Sequence, residues 1–193
     1  MTRTFVAVEL EGKVLATLEQ QIARLRRALP EVRWAEVSSL HLTLAFLGEL
    51  DDAKLAAATE AAAEVAVAAR PFTLQVAGLG TFGPSWAPRV VWAGLAGEMG
   101  ALLALQRRLV LALEACGFPR EERPFAPHLT LARLKQPLGA EALARLTAIL
   151  QAHRTRAALL PVKALAVMQS ELLRSGARYT CLRACALGEH APD

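Results

Sequence analysis

The pentapeptide His41-Leu42-Thr43-Leu44-Ala45 recurs letter for letter as His128-Leu129-Thr130-Leu131-Ala132, an offset of 87 residues (41 to 128). The same slide lays the strand-like run Thr4–Leu10 on Val91–Gly97 and the helical segment Gly12–Leu29 on Met99–Cys116. It also lays Asp51–Ala69 on Leu138–Arg156 and the strand-like Phe72–Leu79 on Leu159–Ala166. Self-similarity at one fixed period marks a duplicated unit, here strand–helix–strand–helix–strand, with extra strands near Val32–Trp34 and at the C-terminus. The remaining strand-like runs are His41–Leu47, Arg89–Leu95, His128–Leu134, Leu159–Val167 and Tyr179–Cys185. Helical patterning covers Glu98–Cys116 and Gly139–His153 as well. In the first helix Val14, Leu18, Ile22, Leu25 and Leu29 fall at three- and four-residue steps, which gives it one apolar face. Asp51 and Asp52 suit a helix N-terminus, and Gly117 suits a C-cap. The alternation excludes an all-helical bundle and an all-β sandwich. The repeat divides residues 1–193 into halves of approximately 1–87 and 88–193.

Of the 193 residues, 54% are hydrophobic, enough to offset the ordering entropy and exclude intrinsic disorder. Twenty-two basic residues against 18 acidic ones leave a charge of +4, which permits an anionic partner without demanding one. A mean hydropathy of +0.31 raises the question of a membrane. The longest apolar stretch, Met99 to Phe118, is interrupted by Gln106, Arg107, Arg108 and Glu114, whereas a spanning helix needs about 20 apolar residues. The apolar run Phe5–Leu10 is too short for a signal sequence and meets Glu9 and Glu11 at once. A cytoplasmic monomer without a membrane partner is expected. Cys116, Cys181 and Cys185 make a poor disulfide framework and read as small buried hydrophobes.

On an extended strand, residues two apart share a face. His41 and Thr43 therefore project together, and Leu42, Leu44 and Phe46 face the other way; His128 and Thr130 stand in the same relation to Leu129 and Leu131. Buried His and Thr are costly without partners, so their duplication argues for a shared cleft rather than a duplicated core. Two imidazoles in opposite protonation states can take a proton from an attacking oxygen and give one to a leaving oxygen. In-line displacement at phosphorus needs those groups on opposite sides, with the hydroxyls of Thr43 and Thr130 donating to the non-bridging oxygens. Metal binding is the rival use of histidine. Only four His and three Cys are present, without a C-x-x-C or H-E-x-x-H pattern, and a catalytic zinc would need a carboxylate or His153 brought in by the fold. No metal and no cofactor are expected. His153 and His190 read as a helix end and a tail.

With these residues in place the chain resembles the 2H phosphoesterase superfamily, and within it the RNA 2′,3′-cyclic phosphodiesterase family, also called 2′-5′ RNA ligase. The resemblance runs from Arg3-Thr4-Phe5-Val6-Ala7-Val8 and Trp34, through His41 to Gly48, to Pro71-Phe72 and Phe82. It continues with Pro88-Arg89-Val90-Val91-Trp92 and Phe125-Ala126-Pro127-His128-Leu129-Thr130-Leu131-Ala132-Arg133, and ends with Gln169-Ser170, Gly176 and Tyr179. It implies a bilobal α+β fold in which two antiparallel sheets, helices outside, face a central cleft across a pseudo-twofold axis. The implied reaction is hydrolysis of a terminal RNA 2′,3′-cyclic phosphate to a 2′-phosphate, with His41 as proton donor and His128 as proton acceptor. Its reversal, ATP-independent 2′-5′ ligation, agrees with the missing G-x-x-x-x-G-K-[ST] and K-x-D-G motifs. The implied partners are RNA ends bearing the cyclic phosphate, tRNA fragments among them.

Arg133 resembles a family arginine near the phosphate and nucleobase, although strict strand parity turns it away from the cleft unless a bulge re-aims it. Phe46 holds the equivalent place in the first repeat and is a candidate either for stacking on a base or for the core. Arg89, Trp92 and Arg123 become RNA-side residues if the fold puts them on the cleft rim. Alternative readings are a phosphodiesterase for small cyclic nucleotides or ADP-ribose 1″,2″-cyclic phosphate, and a non-catalytic RNA-binding module.

Overall fold

The computed structural model describes residues 1–152, 158–173 and 176–188; His153 and His190 lie outside them. In chain order the elements are β1 (Thr2–Glu9), α1 (Lys13–Ala28), β2 (His41–Leu50), α2 (Asp52–Val67), β3 (Phe72–Phe82), β4 (Val90–Gly97), α3 (Met99–Ala115), β5 (Leu129–Arg133), α4 (Ala140–Ala152), β6 (Ala158–Val162), β7 (Ala164–Leu173) and β8 (Gly176–Ala186). The chain is α+β, and every strand pairing is antiparallel. Helix ends follow local chemistry. The Asp51 carboxylate accepts from the Lys54 amide at 2.8 Å, capping α2. Gly117 (φ +82°) turns the chain out of α3, and Phe118 N–H reaches back to the Leu113 carbonyl.

The strands form one curled sheet in the order β6-β3-β4-β5-β2-β1-β7-β8. The two expected sheets are its two groups of four, and the pair Leu42↔Leu129 joins them. That pair equates positions 87 apart, so a pseudo-twofold axis passes between them. The groups do not follow the halves of the chain. β3 pairs with β4 and β6, and β1 pairs with β7. The apolar run Leu159–Val167 is accordingly not one strand: it breaks at Lys163, sending β6 to one edge of the sheet and β7 across to β1. Pro161, which has no N–H to donate, sits on the edge strand β6, where it is tolerated. The expected strand near Val32–Trp34 reduces to one bridge, Trp34↔Ala132.

The main core lies on the leucine face of the sheet. Leu42, Leu44, Leu129 and Leu131 pack there with Val14, Leu18, Ile22 and Leu25 of α1, the alanines of α2, Leu102, Leu105, Leu109 and Leu113 of α3, and Leu146 of α4. A smaller cluster, Phe5, Ala7, Ala166 and Met168 with Tyr179 against it, is separate from that core. Of the three cysteines only Cys185 is buried; Cys116 follows the end of α3 and Cys181 lies on β8, both exposed, which corrects the expectation that all three are core residues. Among the described residues no helix is long and apolar enough to cross a membrane.

Candidate active site

Around the Leu42↔Leu129 pair, antiparallel running sets His41 opposite Thr130 and Thr43 opposite His128. Both leucines are fully buried, so side-chain alternation turns all four flanking residues to the other face of the sheet. The sequence-predicted set converges there. Each imidazole is held in the same way by its own strand entry. His41 Nδ1 lies 2.9 Å from the Ser39 carbonyl and His128 Nδ1 2.7 Å from the Ala126 carbonyl, two residues back in each case. A carbonyl only accepts, so Nδ1 carries the hydrogen and Nε2 is left for chemistry. Among the described residues no protein group engages the hydroxyls of Thr43 and Thr130.

Matching bulges shape the cleft beyond these four residues. In β2 the register passes from Val6↔Ala45 to Ala7↔Thr43, and in β5 from Val91↔Ala132 to Trp92↔Thr130, so Leu44 and Leu131 have no ladder partner. Donors from outside the ladder take up both orphan carbonyls: Gln106 Nε2 reaches Leu44 O at 3.4 Å, and Ala35 N–H reaches Leu131 O at 2.7 Å. The bulges reset the alternation. Arg133 is thereby placed in a row with Val90 and Phe82, and Phe46 in a row with Phe5 and Met168. Phe82 and Phe5 each touch a motif histidine, so both rows face the cleft. The bulge that re-aims Arg133 is thus present. Phe46 departs from the strict parity that puts it with the leucines: it is 50% exposed, and the Arg3 guanidinium lies 5.1 Å from its ring centroid. The registers also equate Ala7 with Trp92, an offset of 85 in the first strands against 87 in the motif strands.

Aromatic rings wall the two imidazoles. His41 packs 4.7 Å from the centroid of Phe5 and 4.7 Å, edge-on, from Tyr179. His128 meets Phe82 edge-on at 4.8 Å, with Trp92 behind Phe82 at 5.4 Å. Trp92 lies over Gly80, where an added Cβ would come within 2.2 Å of the indole, and its Nε1 is buried with no hydrogen-bond partner among the described residues. Sequence reasoning gave Phe5, Phe82 and Tyr179 no role at the site, because aromatic residues on strands read as core. Burial pushes the His41 pKa below its ordinary value of 6.5; the Ser39 carbonyl acts against this, and the charges of Arg133 and His128 add to it. Those couplings tie His41, His128 and Arg133 into one electrostatic site. Arg89 is exposed immediately before β4, and Arg123 is exposed and paired with Glu121 at 3.1 Å. Among the described residues no group of three or more His, Cys, Asp or Glu side chains is placed to hold a metal.

Two imidazole–hydroxyl couples related by a twofold on a curled antiparallel sheet define a phosphoesterase of the two-histidine class. Residues 14–172 match the family model of the 2′-5′ RNA ligase superfamily, and the chain belongs to that superfamily. An RNA 2′,3′-cyclic phosphodiesterase of Geobacillus stearothermophilus is 41% identical over 147 residues, 75% of this chain and 46% of that protein. The chain therefore spans less than half the length of that relative. It spans 95% of an RNA 2′,3′-cyclic phosphodiesterase of Methanothermobacter thermautotrophicus, which is 31% identical over 178 residues, 92% of this chain. Among solved structures, one from Thermus thermophilus superposes with a TM-score of 0.77 at 31% identity, covering 97% of this chain and all of that one. Escherichia coli LigT complexed with 3′-AMP gives 0.72 at 28% identity, covering 97% of this chain and 99% of that one.

Proposed function

We propose that this protein hydrolyses RNA 2′,3′-cyclic phosphate ends to 2′-phosphates. The observation that carries the reading is the pairing of His41 and Thr43 with His128 and Thr130 about the Leu42↔Leu129 axis, each imidazole locked through Nδ1 with Nε2 free. Phosphorus sits between the two rings. His128 Nε2 takes the proton of the attacking water, and His41 Nε2 gives one to the departing 3′-oxygen; these directions follow the family resemblance. The Thr43 and Thr130 hydroxyls donate to the non-bridging oxygens as charge builds there, and Arg133 adds positive charge beside them. Phe46 offers an exposed ring for stacking on a base. Because burial depresses the pKa of His41, the ring is neutral in the free enzyme near pH 7 and becomes the acid when the substrate's phosphate anion lies beside it. The same reading takes residues 1–87 and 88–193 as two copies of one unit, each supplying half of the site. Run backwards, the chemistry joins a cyclic end to a 5′-hydroxyl without ATP.

The test is an RNA oligonucleotide with a 2′,3′-cyclic end, with the position of the product phosphate determined. A 2′-phosphate is expected. His41→Ala and His128→Ala are each expected to lower turnover by about 10²–10⁴-fold, with activity in EDTA unchanged and a bell-shaped pH profile in the parent protein. Full activity in either variant would overturn the assignment, and loss on chelation would replace it with a metal mechanism.

A further inference from the structure

Just past Arg133, the β3–β4 hairpin and the segment leading from β5 to α4 enclose a concavity of about 220 Å³ lined by Ala87, Pro88, Arg89, Lys135, Gln136 and Pro137. Two backbone hydrogen bonds hold it together: Arg89 N–H to Phe82 O at 2.7 Å, and Leu134 N–H to Arg89 O at 2.8 Å. Arg89 and Lys135 are exposed, and among the described residues neither they nor Arg133 make an ion pair. The hairpin also carries Trp86, 74% exposed and adjacent to the lining residue Ala87. An indole kept in water beside unneutralised cations costs hydrophobic free energy that the fold does not recover. Together they have the composition of a single-stranded nucleic-acid surface, where cations follow the backbone and an aromatic face takes a base without regard to sequence.

We infer that this surface holds the RNA strand on the 5′ side of the cyclic end. The inference rests on the reading above and names its substrate more closely: a strand of several nucleotides rather than a mononucleotide. Arg133 lies at the junction. Its row faces the histidines, and two residues further on Lys135 meets the next part of the backbone, with Arg89 across the concavity and Trp86 under a base. The +4 charge of the chain is small, so this local strip, rather than the net charge, would hold the strand.

The experiment compares kcat/KM on a 2′,3′-cyclic mononucleotide and on an RNA octamer with the same 3′-terminal nucleotide, for the parent protein and for Trp86→Ala and Lys135→Ala. The parent is expected to prefer the octamer. Trp86→Ala is expected to lower octamer kcat/KM about tenfold through KM. Lys135→Ala is expected to flatten the log–log salt dependence on the octamer by about 0.7. Mononucleotide hydrolysis should stay within twofold in both variants, which also shows that they fold. Equal parent efficiency on the two substrates, equal losses on both, or unchanged octamer kinetics in the variants would each overturn the inference. An unchanged octamer would leave the surface to some other partner, such as a protein. Failure of the parent on both substrates would instead refute the proposed function.

Discussion

His41 is the side chain on which opposing demands are plainest. It must be buried enough to be held between Phe5 and Tyr179 and still be able to carry a proton. Burial wins in the free protein, and the pKa falls below 6.5. Since the unfolded chain then binds this proton more readily than the native one, stability rises with pH in the window below 6.5, and the penalty disappears above it. In thermal melts from pH 5 to 7.5, His41→Gln should remove part of the upward slope of Tm below 6.5 and leave the values above it nearly parallel to the parent's. The threonines allow a sharper kinetic test. If Thr43 or Thr130 holds a charged oxygen in the transition state, its change to Ala removes about 1.5–3 kcal/mol, roughly 10- to 100-fold in kcat/KM. A loss below threefold in both variants would leave the hydroxyls without a part in the reaction. The convergence of these four residues was legible in the sequence, because His and Thr on leucine-rich strands are costly unless they line an opening. Tyr179 and Phe5 were not, since nothing local separates a ring that packs on an imidazole from one that packs on leucines.

Among the elements, the strands β2 and β5 show where a simple period stops being informative. Alternation predicts His41, Thr43, His128 and Thr130 correctly, up to the unpaired Leu44 and Leu131. Past that point strict parity fails for both Phe46 and Arg133, which the bulges turn to the cleft face. No glycine marks either bulge; what stabilises them is distant in sequence, the Gln106 side chain and the Ala35 amide. The helices were legible to within two residues at either end, α1 by its apolar stripe, α2 by Asp51 and Asp52 at its start and α3 by Gly117 past its end. The break at Lys163 was not, because an unbroken apolar run carries no instruction about which edge of a sheet it joins. The site also depends on a glycine. Gly80→Ala would drive a methyl group into the Trp92 ring, an overpacking of about 1–3 kcal/mol. A Tm lower by roughly 2–10 °C is expected, together with a changed near-ultraviolet tryptophan signal; an unshifted melt would mean that the indole moves aside freely.

Across the whole molecule, the exchange of strands makes the two halves of the chain dependent on each other. A fragment of residues 1–87 keeps the β1–β2 ladder but leaves β3 without either of its partners, both of which come from residues 88–193. A fragment of 88–193 leaves β7 without β1. Each fragment alone is expected to lack cooperative unfolding by circular dichroism, and an equimolar mixture is expected to regain it and, with it, cyclic-phosphate hydrolysis. Cooperative melting of either piece alone would show that one half folds by itself. The 87-residue repeat is visible in the sequence, whereas the swap is not: sequence similarity equates β1 with β4, and only the assembled sheet shows which neighbour each one takes.

Strand exchange also sets a timetable for the protein's birth. When residue 87 leaves the ribosome, β3 still has both edges bare, and about a hundred more residues must be added before β7 and β8, bearing Tyr179, can close around His41. At ordinary elongation speeds that wait is on the order of 5–20 s. Until then one edge of β1 stays bare to nascent neighbours on the same message, and His41 lacks the Tyr179 ring that walls it.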